Sequence, residues 1–148
     1  MSVPAAFARD ENFVPIQTLG FTTSKAITFV GASTGATGAT TLFNVTGLVA
    51  VRLFGVVSGA DVTGSGTIEA GISGNTAALL AQTTGTALDV GEIWIDTAPA
   101  TVEALPGLFV LNGTNIIQTI ATNTLTAGTL TYYCLWTPIS SNGSVTAA

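Results

Sequence analysis

The sequence predicts an all-β protein: an antiparallel β-sandwich or jelly-roll-like body with an extended N-terminal arm. Gly and Thr recur at short intervals with β-branched residues between them, which is typical of short strands joined by tight turns. Several segments alternate apolar and polar residues with the period of two that a half-buried strand requires. No window long enough for an amphipathic helix shows the helical period. The length of 148 residues suits one domain.

The chain divides into an extended arm (1–20), a β-sandwich body (21–139) and a short C-terminal tail (140–148). The arm contains Pro4 and Pro15, which restrict the backbone to extended forms and discourage helix. The tail is made of small and polar residues. We therefore expect one compact body with a segment at each end that contributes little to its core.

The first half of the body contains a predicted loop and two strands. Residues 31–40 are almost wholly Gly, Ala, Ser and Thr, which indicates a surface loop. Leu48–Val57 is apolar on both alternating faces except at Arg52, which predicts a central strand that is covered on both sides. Thr67–Ile72 alternates with its apolar residues inward, and a turn at Gly74-Asn75 follows.

The second half is predicted to supply the remaining strands. Residues 77–82 suit a returning strand or one short helical turn, and we favour the strand. In residues 92–96 the alternation separates an Ile face, which we assign to the core, from a face with Trp94 between two acids. Residues 115–122 and 129–137 are two further strands, and Pro138 ends the pairing of the last. The predicted core comprises Val49, Val51, Leu53, Ile68, Ile72, Ile93, Ile95, Ile116, Ile120, Leu130 and Tyr132.

The low charge excludes some partners and indicates others. Only 7% of residues are charged, the net charge is −5, and a surface with so few charges is expected to be covered by other subunits. We predict a homo-oligomer, with a trimer favoured. Three basic residues are too few for nucleic acid. Residues 26–51 carry no charge, but four glycines interrupt them, so we predict no membrane span. Met1–Asp10 lacks a signal-peptide pattern, which predicts synthesis in a cytoplasm.

The residues that usually perform catalysis are largely missing, so we predict that the protein is not an enzyme and needs no cofactor or metal. The absence of histidine removes the commonest general base and metal ligand. Cys134 lies on an apolar alternation and is expected to be a packed thiol. The acids around Glu92 lack a calcium-loop spacing. Trp94 or Trp136 offers a platform for sugars, but a core or subunit interface is the favoured use of these rings.

Several longer stretches resemble a known group of proteins. They are A-R-D-E-N from Ala8, V-T-G-L-V-A-V-R-L-F-G-V-V from Val45, E-A-G-I-S-G-N-T-A-A-L-L-A-Q-T-T from Glu69, G-E-I-W-I-D from Gly91, and Y-C-L-W-T-P from Tyr133. Together they resemble small β-rich virion proteins of tailed bacteriophages. The resemblance implies a capsid decoration (cement) protein on the capsid surface, with the major capsid protein as partner. A head-to-tail or tail component comes second. A separate alternative is a carbohydrate- or receptor-binding β module, for example on a fibre, that uses Trp94 or Trp136.

The arm contains the predicted interaction site. Its apolar side chains are spaced too irregularly for a strand of the body, so they gain more by docking on a neighbouring subunit. Aromatic anchors would fill pockets there, and the charged residues between them would make polar contacts at the rim. The predicted interaction residues are Phe7, Arg9, Asp10, Glu11, Phe13 and Val14.

Overall fold

The computed structural model describes residues 20–148, and within this range the chain is almost entirely β structure. A single turn of 3-10 helix, Gly85–Ala87, follows the fifth strand. The ten strands are β1 (Phe21–Thr28), β2 (Gly38–Thr46), β3 (Leu48–Val57), β4 (Thr67–Ile72), β5 (Asn75–Thr84), β6 (Ile93–Trp94), β7 (Phe109–Asn112), β8 (Ile116–Ala121), β9 (Thr129–Pro138) and β10 (Ser144–Ala147).

The strands form two antiparallel sheets that pack face to face, so the predicted β-sandwich is confirmed. Sheet one has the order β1-β9-β3, and the far edge of β3 pairs with β7 in its first half and with β6 in its second half. Sheet two has the order β10-β2-β8-β4-β5. Among the described strands, β4 and β5 are the one pair that is adjacent both in sequence and in a sheet.

The centre of sheet one is β3, which has the bounds that the sequence predicts. Its inner face is buried: Val49, Val51 and Leu53 are at most 1% exposed. The prediction that both faces are covered is wrong for the described residues, because Arg52, Phe54 and Val56 on the other face remain partly exposed. Sheet two packs against one side of sheet one, and on the other side Ala50 and Leu135 are buried while the apolar residues near Phe54 stay partly exposed.

The core lies between the sheets and contains most of the predicted residues. Eight of the eleven are buried: Val49, Val51, Leu53, Ile68, Ile116, Ile120, Leu130 and Tyr132. Ile72, Ile93 and Ile95 are only partly buried. Burial of these side chains supplies the dominant favourable term of folding, at about 25 cal/mol for each Å² of apolar surface removed from water.

The face predicted for β6 is reversed. Trp94 is fully buried, whereas Ile93 and Ile95 lie on the outside of sheet one. The reason is the cross-strand partner: Trp94 pairs with Gly55 of β3, where a Cβ atom would stand 3.4 Å from the indole ring. The ring packs over Gly55, and the indole Nε1 donates a hydrogen bond to the Ala81 carbonyl of sheet two at 3.1 Å.

In three other segments the observed structure can be compared with the one predicted from the local sequence. Residues 77–82 belong to strand β5, as favoured, and the turn before it lies at Ser73-Gly74, one residue earlier than predicted. The predicted loop at 31–40 ends sooner, because Gly38–Thr40 already pair with β8. The segment predicted as a short tail, 140–148, contains β10, which pairs with β2 and buries Val145 at 3% exposure.

Candidate functional site

The six predicted interaction residues all lie outside the described residues. Phe7, Arg9, Asp10, Glu11, Phe13 and Val14 fall within residues 1–19, so the structure does not place them. Their role stays a prediction. The surface of residues 20–148 contains candidates for the site on which such a segment would dock.

The strongest candidate is the outside of sheet one, which faces away from sheet two. Phe54 of β3 stacks on Tyr133 of β9, with ring centroids 5.3 Å apart and planes 18° from parallel. Val56 follows Phe54 on the same face, and Ile93 pairs with Val56 from β6. We call these four residues together with Ile95 the outer apolar face. Each of the five is partly exposed.

A groove opens on this face between β3, β6 and the segment that precedes β7. Its volume is about 150 Å³. A cavity of that size lined by aliphatic and aromatic side chains is large enough for a benzene ring. The groove is therefore suited to one apolar side chain. Its lining residues are Phe54, Ile93, Ile95, Glu103, Ala104, Leu105 and Pro106.

The segment beside the groove concentrates exposed apolar side chains. Residues 95–108 form no helix or strand, although Ala100 exchanges two backbone hydrogen bonds with Ile93. Among the described residues nine large hydrophobic side chains are exposed, and five of them lie between positions 102 and 110. Patches of this kind mark interaction sites on soluble proteins. The five are Val102, Leu105, Leu108, Phe109 and Val110, with exposures of 84%, 42%, 59%, 39% and 60%.

Two charged residues border the outer apolar face. Glu103 lines the groove. Arg52 lies two residues before Phe54 on the same side of β3. Successive side chains on one face of a strand are about 7 Å apart. The face therefore combines an apolar centre with one acid and one base at its margin.

The other candidates from the sequence have structural roles. Trp94 is fully buried, so its ring cannot stack on a sugar. Trp136 is partly buried, packs against Phe21 with ring centroids 4.8 Å apart and planes tilted by 31°, and donates from Nε1 to Thr23 Oγ1 at 3.0 Å. Cys134 is a packed thiol, as predicted, and its burial raises its pKa to about 12. Such a thiol supplies almost no thiolate at neutral pH.

The acidic side chains of the loops cap backbone amides. Asp61 Oδ1 accepts a hydrogen bond from Val90 N at 2.7 Å, and Glu92 Oε2 accepts one from Asp89 N at 3.1 Å. Asp96 Oδ1 accepts one from Ala98 N at 2.8 Å, which closes a turn. Within residues 20–148 no group of three or more His, Cys, Asp or Glu side chains is placed to hold a metal ion.

No helix in the described part of the chain is both long enough and apolar enough to cross a membrane. Searches against protein-family models, curated proteins and solved structures gave no match.

Proposed function

We propose that this protein is a structural virion protein, a capsid decoration (cement) protein that binds and stabilises the head of a tailed bacteriophage through contacts between subunits. Its partners are other copies of itself, with a trimer favoured, and the major capsid protein. The observation that carries the proposal is the outer apolar face with its groove and the exposed hydrophobic side chains at 102–110 beside it.

The physical argument concerns what a protein does with such a surface. A free monomer usually keeps exposed apolar area dispersed and surrounds it with charge. Here the apolar side chains are concentrated at one edge of sheet one, and 7% of the chain is charged. Burying that edge against another protein removes it from water, which favours association. A rigid two-sheet body with one such face suits a subunit present in many copies.

The two alternatives, a tail component and a binding module, have less support than a decoration protein. A head-to-tail or tail component would use the same surface, so the particle itself must distinguish the two locations. A carbohydrate- or receptor-binding module would need an open aromatic platform, and it loses Trp94 to the core. The stacked pair of Phe54 and Tyr133 remains on the surface, but it lies beside an apolar groove that offers a sugar few hydrogen-bonding groups.

Two experiments test the proposal. Sedimentation velocity of the purified chain at micromolar concentration should show an oligomer, and a clean monomer would contradict self-association. Electron cryomicroscopy of particles that contain the chain should then locate it on the outside of the head at a copy number set by the capsid symmetry. Density in the tail, or no density in a virion, would reject the decoration assignment.

A further inference from the structure

We propose that residues 1–19 of one copy dock on the outer apolar face of a second copy, with Phe13 in the groove and Glu11 paired with Arg52. The inference rests on the proposed self-assembly and names the contact that would produce it. Residues 1–19 contain the six predicted interaction residues, and the outer apolar face is the surface on which they would dock.

The groove and its occupant match in size and chemistry. The groove measures about 150 Å³, and most of its lining residues are apolar. A phenyl ring fits this volume. Residues 1–19 offer two phenylalanines, Phe7 and Phe13. Burying one ring fully strengthens association by about 10- to 150-fold, which is enough to anchor a segment.

The order of charges also matches. In an extended segment, side chains two residues apart lie on the same side with a repeat of about 7 Å. Glu11 lies two residues before Phe13, and Arg52 lies two residues before Phe54 in β3. With Phe13 above Phe54, each charged side chain is therefore one repeat from its ring, on the N-terminal side. The two opposite charges then meet when the segment runs alongside β3. The next step brings Arg9 to the level of Ala50, which pairs with the exposed Val110.

The position of Gly20 favours a second copy over the same chain. Gly20 lies against Trp136, and Phe21 pairs with Trp136 in a row that continues to Val51. Strand β1 then runs from that row toward the row of Ser24, Tyr133 and Phe54. A segment that precedes Phe21 must therefore reverse its direction and cross β9 to reach its own groove. The groove of a second copy is not subject to this constraint.

Disulfide trapping between different copies tests the docking directly. Phe13→Cys and Ile93→Cys are made in separate full-length chains that also carry Cys134→Ala, and the two proteins are mixed under mild oxidation. A covalent dimer should form at least about ten times faster than in a mixture of F13C with V30C, because Val30 is 58% exposed and lies outside the face. Equal rates in the two mixtures would overturn the proposal. A disulfide that forms only when F13C and I93C are in one chain would also overturn it.

Charge reversal tests the pairing. Glu11→Lys or Arg52→Glu alone should raise the dissociation constant of self-association about five-fold, and E11K combined with R52E should restore it. Phe13→Ala should raise it by about 10- to 150-fold. If the double reversal is no better than the singles, Glu11 and Arg52 are not partners. If F13A and E11K leave association unchanged, the chain still self-assembles as proposed, but through another surface.

Discussion

A buried polar pair joins the two sheets and gives the sharpest test of the core. Tyr132 of β9 and Gln118 of β8 are both fully buried. The tyrosine hydroxyl donates to Gln118 Oε1 at 2.8 Å, and burial holds its pKa well above the ordinary value. Gln118 Nε2 has no hydrogen-bond partner among the described residues. The pair therefore contributes one satisfied hydrogen bond and one unsatisfied donor group.

The expected stabilities follow from counting buried polar atoms. Tyr132→Phe leaves both amide atoms of Gln118 unpaired and should cost about 1–3 kcal/mol. Gln118→Met removes the unpaired amide but leaves the tyrosine hydroxyl unpaired, so its two effects oppose each other and the change should stay within about 1 kcal/mol. The double variant leaves no polar atom and should equal or exceed the native stability by about 0–2 kcal/mol.

Urea unfolding of the four proteins measures these differences, provided that the slope of the transition stays constant. The matched control is the exposed hydroxyl pair of Ser58 and Thr131, whose oxygens lie 2.8 Å apart. Replacing either with Ala should change the stability by less than about 0.5 kcal/mol. A double variant of Gln118 and Tyr132 that is less stable than Tyr132→Phe alone would refute the reasoning, because Gln118 has already lost its partner in Tyr132→Phe and removal of an unpaired buried amide should not destabilise the protein.

Three further predictions address the thiol, the tryptophans and the acids. Cys134 should not react with a thiol reagent at pH 8 until the protein unfolds. Because the pKa of its thiol rises from 9.0 to about 12 on folding, the free energy of unfolding should fall as the pH rises through that interval. Cys134→Ala should make this decrease smaller. Trp136→Phe should leave a blue-shifted emission from Trp94 that acrylamide quenches poorly, whereas strong quenching would place the ring at the surface. A chelator should not change the melting temperature, and a decrease that calcium reverses would reveal a site at the acids around Glu92.

The strands that the sequence predicted best are those whose own residues determine their burial. The bounds of β3 match the prediction, and β8 and β9 differ from it by one residue at the ends. By contrast, β1 reads F-T-T-S-K-A-I-T and buries only Ile27. It is a strand because it pairs along its whole length with β9, and such pairing is invisible in a local pattern. The same is true of β10, which depends on β2.

The candidate face was only partly predictable for a related reason. The sequence has no charged residue from Ala104 to Ala148, and a strand in such a stretch suits either core or subunit contact. Alternation in β6 could not decide which face is inward, because a shift of one residue exchanges the two faces. The structure places Trp94 inward, where it packs over Gly55 and bonds to the Ala81 carbonyl, and this leaves Ile93 and Ile95 in the groove. A pattern of five residues contains no information about a glycine nearly forty positions earlier.

The pairing of β1 with β9 has a consequence for how the chain folds. Thr28 and Thr129, which bond to each other through their hydroxyls, are 101 residues apart. Strand β1 must therefore wait until β9 has been synthesised before it has its partner. Such a high contact order slows folding to milliseconds or seconds, and the waiting strand offers an unpaired edge to other chains. Synthesis of β9, rather than of the first half of the body, is therefore the step that allows β1 to enter its native sheet.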